Sequence, residues 1–411
     1  MKIAAVLLGF VLLLPSQALA QTPVVHPFNG IDPARLVRID SVLQGHVDTQ
    51  RIAGAVALVM RDGEIVYERA FGWSDREART PMTTDAIFRI ASQSKAVVSV
   101  ATMMLVEEGK MNLLDPITRW MPTFADATVS TVTDSGRVNL PLRRAITVRD
   151  LLTHTSGIGY GGLPGTEGYG WYTADRDEPI CATMDKLGSV PLTQQPGAAW
   201  VYGYNADILG CIIERVSGVP LDVFLKERLT GPLGMVDTEF YLRPDQRGRL
   251  TTVYTHDAEM RAQRSADDAR GQGHYVEGPR VSFSGGAGLL STARDYARFL
   301  EMLRRGGELD GTRYLAPHTV AVMTTNHVGA LHGDGLGFGL GFETVERLGA
   351  GGFSSVGAFG WSGAYGTLYE VDPAERLVLV MMIQLLPYVE RTVRESFETA
   401  VYQAIVSPVP W

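Results

Sequence analysis

Hydrophobic and polar positions follow a strand-like pattern in two short runs near the start of the chain. Residues 55–60 and 64–72 are rich in the residue types that favour strands, and Asp62-Gly63 stands between them. An Asp-Gly pair between two such runs is a strong signal for a tight hairpin turn. The pattern therefore predicts a β-hairpin early in the chain.

Apolar residues at helical spacing lie on both sides of this hairpin. Residues 33–50 predict a helix, because their apolar positions fall on one face. Residues 96–106 are largely apolar and predict a second helix, with Gly109 as its C-terminal stop. Near the other end of the chain, residues 291–305 and 390–406 predict two more helices.

The middle of the chain differs from both ends. Between residues 111 and 285 apolar spacing is helical, strand signals fade and long loops appear. One of them, the Gly/Tyr-rich stretch 157–172, is read either as a substrate rim or as a surface loop without function. Strand signals return in three later segments, with a turn signal at residues 371–374. These three segments are residues 339–345, 366–371 and 377–383.

Strands at both ends with helices between them predict one sheet built from both termini. An α/β domain of residues 21–110 and 286–411 is expected, with a helical domain of residues 111–285 inserted into it and a cleft between the two. Residues 1–20 read as a signal peptide, with Lys2, an apolar stretch and a small-residue cleavage site. Export to the periplasm or the medium is therefore expected, with no membrane span.

Composition narrows the function classes. The 411 residues are 45% hydrophobic and carry a net charge of −8, with acidic and basic residues interspersed. No basic run suggests a nucleic-acid partner. The eight histidines form no metal-binding pattern, so no metal is expected. Cys181 and Cys211 are the two cysteines, and the sequence leaves open whether they are bridged or are two buried thiols.

Ser92 and Lys95 stand three residues apart at the start of the second apolar helix. Residues i and i+3 share a helix face, so the Lys95 amine is expected within reach of the Ser92 hydroxyl. A neutral amine there takes the serine proton and makes a nucleophile. Burial and the positive helix N-terminus are expected to lower the pKa of Lys95 and favour that neutral form. A capping serine beside a surface lysine is the alternative reading.

Two further segments carry groups that suit a serine site. Tyr202 precedes the helical run 206–210, and a phenol beside an amine can carry the serine proton to a leaving group. A structural tyrosine is the alternative. Residues 359–367 contain three glycines, which mark either a weak edge strand or a close approach of a ligand to the backbone. A backbone N–H from this segment, with that of Ser92, is expected to form an oxyanion hole.

These motifs, in this order and over nearly the whole mature chain, resemble the serine β-lactamase-like superfamily. That superfamily includes class C β-lactamases, DD-peptidases and family VIII carboxylesterases. Ser92 and Lys95 match its nucleophile motif, and Tyr202 matches the tyrosine of its second motif. Residues 361–363, Trp-Ser-Gly, stand where the family has Lys-Thr-Gly.

The resemblance implies an α/β (α+β) fold, with an antiparallel sheet flanked by the N- and C-terminal helices and a mostly helical inserted lobe. It implies that Ser92 is the nucleophile, that Lys95 and Tyr202 share the base role, and that the amides of Ser92 and Ala364 hold the oxyanion. His154, in the family turn at residues 151–157, is then structural. The resemblance assigns substrate contacts to Tyr204, Trp361, Ser362 and Gly363.

Two departures from the family pattern shift the expected substrate. Class C enzymes usually have asparagine two residues after the tyrosine, whereas this chain has Tyr204 there and Asn205 one place later. The lysine that helps to bind a substrate carboxylate is replaced by Trp361, so an anionic β-lactam or peptide is less well matched. The Trp-Ser-Gly version resembles the family VIII esterases most. The expected function is a carboxylesterase for small, uncharged esters that acts through an acyl-enzyme.

Three alternatives frame this expectation. The first is a β-lactamase or D-amino-acid peptidase (DD-carboxypeptidase) of the same fold. The second is a non-catalytic binding protein, against which the set of Ser92, Lys95 and Tyr202 argues. A Ser-His-Asp esterase is disfavoured, because the chain has no G-x-S-x-G motif. No cofactor is expected, and the small-molecule ester is the expected partner; the sequence gives no oligomeric state.

Overall fold

The computed structural model describes residues 30–134, 136–161, 177–268, 271–389 and 391–407. The predicted signal peptide, residues 1–20, lies outside the described residues, as does most of the Gly/Tyr-rich stretch 157–172. The described strands are β1 Gly54–Arg61, β2 Glu64–Asp75, β3 Thr80–Pro81, β4 Phe88–Arg89, β5 Thr128–Thr133, β6 Gly136–Pro141, β7 Tyr254–His256, β8 Ala262–Arg264, β9 Leu290–Ser291, β10 Glu308–Leu309, β11 Thr312–Arg313, β12 Leu336–Phe338, β13 Glu343–Val345, β14 Phe359–Ser362, β15 Leu368–Asp372 and β16 Leu377–Met382. The described α-helices are α1 Pro33–Leu36, α2 Arg38–Asp48, α3 Ser94–Glu107, α4 Val148–Leu152, α5 Ile180–Lys186, α6 Asn205–Ser217, α7 Leu221–Leu225, α8 Ala293–Arg304, α9 Pro317–Met323 and α10 Arg391–Tyr402.

One large antiparallel sheet joins the two ends of the chain. Its strand order is β12-β13-β14-β15-β16-β1-β2-β3, so the N-terminal hairpin pairs directly with the last strand. In that pairing Val56 lies opposite Met382 and Arg61 opposite Leu377. The predicted hairpin and the sheet built from both termini are therefore confirmed.

Helices cover both faces of this sheet. Side chains alternate between the faces of a strand. Ala55 and Ala57 of β1 accordingly belong to the core under α2 and α10, whereas Val56 and Leu58 belong to the core under α3 and α8. The terminal helices α2 and α10 pack against each other. The expected sheet flanked by the terminal helices is confirmed.

The segment between α3 and α8 is richer in strands than its sequence pattern indicated. β5 pairs with β6 and β7 with β8, as two short antiparallel hairpins outside the large sheet. Every position of β6 is exposed or half-exposed, so the strand has no alternation of apolar and polar residues that would predict it. The disulfide Cys181–Cys211 joins α5 to α6, which answers the question that the sequence left open. The proposed division into two domains stays a prediction.

The predicted strand at residues 339–345 is broken by a turn. β12 ends at Phe338 and β13 begins at Glu343, because the amide of Gly339 donates to Phe342 O and that of Leu340 to Met323 O. With these partners, the two amides cannot take part in the hydrogen-bond ladder of the sheet. No helix among the described residues is long and apolar enough to cross a membrane.

Candidate active site

A short 3₁₀ turn, Ala91–Gln93, presents Ser92 at the start of α3. Ala91 has φ +43°, in the left-handed region that residues with a Cβ rarely adopt. Such strain persists where the surrounding structure holds it, and it clusters at functional sites. Ser92 itself is half-buried, whereas nearly all of its neighbours in α3 are buried.

Lys95 contacts Ser92 as the i, i+3 spacing predicted. Its Nζ lies 3.1 Å from Ser92 Oγ, and it also donates to Gly286 O at 2.7 Å and to Tyr160 OH at 3.2 Å. The lysine side chain is buried, with 3% of the residue exposed. An ammonium has three N–H donors, and these contacts engage all three.

The charge state of Lys95 differs from the expectation. Burial lowers its pKa, but the oxygens of Tyr160 and Tyr202 and the carboxyl group of Asp207 outweigh this, and the pKa lies above its usual value. The sequence argument considered desolvation and the helix N-terminus alone. At neutral pH Lys95 is therefore an ammonium that donates to Ser92, rather than a free amine that waits for its proton.

Tyr202 lies between this ammonium and Trp361. Lys95 Nζ stands 4.7 Å from the centre of the Tyr202 ring. From the other side, Trp361 Nε1 donates a hydrogen bond of 3.1 Å to the Tyr202 oxygen. The predicted base and the third motif thus meet, although 159 residues separate them in the chain.

The third motif also packs against the nucleophile turn. A Cβ placed on Gly363 would lie within 3.0 Å of both Ile90 O and Thr367 Oγ1, so only glycine fits between them. This contact brings the end of β14, with Ser362 half-buried, next to the turn that carries Ser92. The oxyanion role of the Ser92 and Ala364 amides stays a prediction, as do the substrate contacts of Ser362 and Gly363.

Tyr204 lies behind the site rather than on an open surface. None of its surface is exposed, and its hydroxyl accepts a hydrogen bond from Gly161 N at 3.3 Å. Its ring meets that of Tyr160 edge-on at 4.9 Å. In this arrangement Tyr204 supports Tyr160, and the substrate contact assigned to it stays a prediction.

His154 and Asn205 form a buried structural pair. Asn205 Nδ2 donates to His154 Nδ1 at 2.8 Å, and Ser156 Oγ donates to the Asn205 carbonyl. Burial and the nearby Lys95 charge hold the pKa of His154 well below its usual value, so the ring is neutral. Asn205, which stands three residues after Tyr202 rather than two, therefore ties the turn at residues 154–158 to α6.

Aromatic rings close around Tyr202 and Trp361. Trp200 stacks on Tyr202 with ring centres 5.6 Å apart and planes at 19°. His332 lies 4.5 Å from Trp200, and its Nε2 pairs with Glu343 Oε2 at 2.6 Å. These rings, with Phe338, form a largely apolar wall beside the phenol.

Comparison with known proteins decides the family. A profile of the β-lactamase family matches residues 39–403. The chain belongs to the β-lactamase family. Protein Rv1367c of Mycobacterium tuberculosis is 37% identical over 83% of this chain and 88% of its own length, and Esterase EstB of Burkholderia gladioli is 34% identical over 86% and 91%. The solved structure of EstCE1, described as a hydrolase with promiscuous acyltransferase activity, superposes with a TM-score of 0.76 at 28% identity, covering 90% of this chain and 99% of that one.

The family assignment makes this chain a serine hydrolase of β-lactamase fold, with relatives that support ester hydrolysis or acyl transfer. The predicted resemblance to this superfamily, close to the family VIII esterases, is confirmed. Among the residues that the structure describes, no three His, Cys, Asp or Glu side chains are placed to hold a metal ion. That no cofactor is needed stays a prediction.

Three residues of the site carried no assigned role in the sequence argument. Tyr160 lay in a loop of undecided function, and Gly286 carried no motif. Asp207 follows Tyr202 by five residues; its Oδ1 accepts from Ser284 Oγ at 2.6 Å and from Gly286 N at 3.0 Å. Its Oδ2 has no hydrogen-bond partner in the described part of the chain, and burial raises the pKa of Asp207. An acidic residue on the buried face of α6 was the one signal available from the sequence.

Proposed function

We propose that this protein is a carboxylesterase for small, uncharged esters that acts through an acyl-enzyme at Ser92. The observation that supports this most is the run of contacts from Ser92 to Lys95, from Lys95 to the Tyr202 ring, and from the Tyr202 oxygen to a neutral indole, Trp361, which stands in place of the family's lysine. A neutral hydrogen-bond donor at this position offers no charge to a substrate carboxylate. An ester without a charge matches such a site.

The proposed acylation moves one proton and exchanges one bond. Ser92 Oγ attacks the acyl carbon while its proton passes to the base shared by Tyr202 and Lys95. The raised pKa of Lys95 keeps it charged, so the proposed first acceptor is the Tyr202 oxygen in its phenolate form, which holds the Ser92 proton as a neutral phenol after the attack. The bond from the acyl carbon to the alcohol oxygen then breaks, and the proton passes to the departing alkoxide.

Water completes the cycle by attacking the acyl-enzyme in the reverse sense, with the same base taking its proton. The amides of Ser92 and Ala364 are proposed to hold the oxyanion in both steps. A second acyl acceptor, an alcohol, is also proposed, since EstCE1 is described as having acyltransferase activity and aligns with 90% of this chain. Adding a primary alcohol to an ester reaction and measuring the new ester tests this.

Side-by-side kinetics test the substrate class. We expect kcat/KM for a p-nitrophenyl ester of a short acid to exceed that for nitrocefin. Faster turnover of nitrocefin would overturn the esterase proposal in favour of a β-lactamase. A fluorophosphonate probe tests catalysis itself: wild type should be labelled and Ser92→Ala should not. An unlabelled wild type would indicate a binding protein.

We also propose that the protein is exported. The charged start, apolar stretch and small-residue cleavage site of residues 1–20 support this, and so does a disulfide between Cys181 and Cys211, since such bonds persist in oxidising compartments. Expression of the full chain in a Gram-negative host should yield protein in the periplasm or medium, with Gln21 as its first residue. A chain retained in the cytoplasm with Met1 intact would contradict the proposal.

A further inference from the structure

We propose that Trp361 is a positioning residue for the base: its indole N–H stabilises negative charge on the Tyr202 oxygen. This inference rests on the proposed function, in which that oxygen receives the Ser92 proton. It gives Trp361 a role toward Tyr202 that differs from the substrate contact expected from the sequence.

The hydrogen bond has one possible direction. An indole nitrogen carries a hydrogen and has no acceptor lone pair, so at 3.1 Å Trp361 donates and the Tyr202 oxygen accepts. The phenol's own proton is then directed away from Trp361. A donor aimed at an oxygen strengthens when that oxygen becomes anionic, because hydrogen bonds to a charged partner are about twice as strong as neutral ones.

The indole is held in place by the fold. Trp361 lies on β14, which pairs with β13 on one side and with β15 on the other, where Trp361 faces Tyr369. Its ring also packs edge-on against Phe338 at 5.6 Å and against Trp200 at 6.2 Å. A donor fixed in this way needs no reorganisation when charge develops on its acceptor.

Several other ionisable groups surround the pair. Those that face Tyr202, Trp361 or Lys95 are Lys95, His154, Tyr160, Asp207, His332, Glu343 and Tyr369. Burial and the Lys95 charge keep His154 neutral, and burial raises the pKa of Tyr369 well above its usual value. Lys95 is a cation beside the Tyr202 ring, and Trp361 is a neutral donor bonded directly to the phenol oxygen.

Trp200 provides a matched control. Its ring stacks on Tyr202 at 5.6 Å, and the tilted ring of Trp361 lies at a similar distance, 5.5 Å. Trp200 Nε1 is buried and has no hydrogen-bond partner among the described residues. Trp200→Phe and Trp361→Phe therefore remove the same atoms beside the same phenol, but only the second removes a hydrogen bond to it.

The experiment is the pH dependence of Ser92 labelling by a fluorophosphonate probe, which needs no choice of ester. For Trp361→Phe we expect the pH of half-maximal labelling to rise by about one to two units, from the strength of a hydrogen bond to a charged group. The labelling rate at neutral pH should fall at least about tenfold with it. Trp200→Phe should keep the wild-type midpoint. In a Tyr202→Phe background, Trp361→Phe should cause no further loss.

An unchanged midpoint in folded Trp361→Phe, or an equal shift in Trp200→Phe, would overturn the inference. So would an additive loss in the Tyr202→Phe background. If Trp361→Phe does not fold, ¹⁵N-tryptophan labelling of the intact protein replaces it. The chain has six tryptophans, and Tyr202→Phe should move one indole N–H resonance strongly upfield; no such movement would refute the bond. A wild type that the probe does not label would instead refute the proposed function.

Discussion

A single methyl group at Gly363 is expected to disable the site. The backbone of Gly363 packs against Ile90 O and Thr367 Oγ1, and an added Cβ would lie within 3.0 Å of both. Ile90 O belongs to the backbone two residues before Ser92, so it cannot yield without moving the nucleophile turn. Gly363→Ala is therefore expected to separate the Ala364 amide from the Ser92 amide, the two proposed oxyanion donors.

The expected loss of kcat in Gly363→Ala follows from displacing one proposed oxyanion donor, the Ala364 amide. Removing one oxyanion donor costs about 10²–10³ in kcat, which is about 2.7–4 kcal/mol of transition-state stabilisation. Overpacking of a tight contact destabilises a fold by about 1–3 kcal/mol in addition. We expect both: a loss of kcat on a p-nitrophenyl ester in this range, and a lower melting temperature. The assay is run well below that temperature, with circular dichroism to confirm folding.

Two variants separate the clash from other causes. Gly363→Ala with Thr367→Ala relieves the side-chain contact but not the Ile90 contact, so its kcat should stay low. Gly45→Ala is the control, since a Cβ at this position in α2 meets nothing within 4 Å. It should keep wild-type kcat and gain up to about 1 kcal/mol of stability from helix propensity. Folded Gly363→Ala with wild-type kcat would refute the reasoning.

Three further predictions concern the base, a buried acid and the disulfide. Lys95→Ala and Tyr202→Phe should each lose at least about 10²-fold in kcat, measured on the same ester. Burial raises the pKa of Glu370 from 4.5 to about 7, so its stabilising effect is full below pH 4.5 and lost as pH rises through 7. As pH rises through that window, the free energy of unfolding of the wild type should therefore fall by about 3 kcal/mol more than that of Glu370→Gln, measured by urea unfolding. Reducing Cys181–Cys211, which closes a loop of 30 residues, should cost about 3–4 kcal/mol by the chain-entropy relation, measured with and without reductant.

Each of these has a result that contradicts it. Near-wild-type kcat in either base variant removes that residue from the mechanism. Parallel pH–stability curves for wild type and Glu370→Gln would show that another group titrates there, Glu398 being the nearest candidate because its charge raises the pKa of Glu370. An unchanged melting temperature under reductant, with free thiols demonstrated, would show that the bridge adds nothing to stability.

Short-range features were readable from the sequence because helix and strand periods act locally. The Ser92–Lys95 contact depends on one helical turn, and the N-terminal hairpin on one turn-forming pair between alternating residues. The alternation of apolar and polar residues also predicted the later strands. It did not predict the turn at residues 339–342, which a hydrogen bond to Met323 O helps to hold. The hairpin of β5 and β6 was missed because β6 has no buried residue and β5 has a single one, Val129, so no alternating pattern marks the strands.

By itself, therefore, the sequence determined the fold family, the order of the motifs and the pairing of Ser92 with Lys95. Tertiary structure alone decided their chemistry. The charge on Lys95 depends on Tyr160, Tyr202 and Asp207, which the fold brings to it from far along the chain. Trp361 likewise donates to Tyr202 only because the fold brings β14 next to the segment that precedes α6. Motifs are set by local geometry, whereas pKa values and hydrogen-bond partners depend on distances between residues remote in sequence.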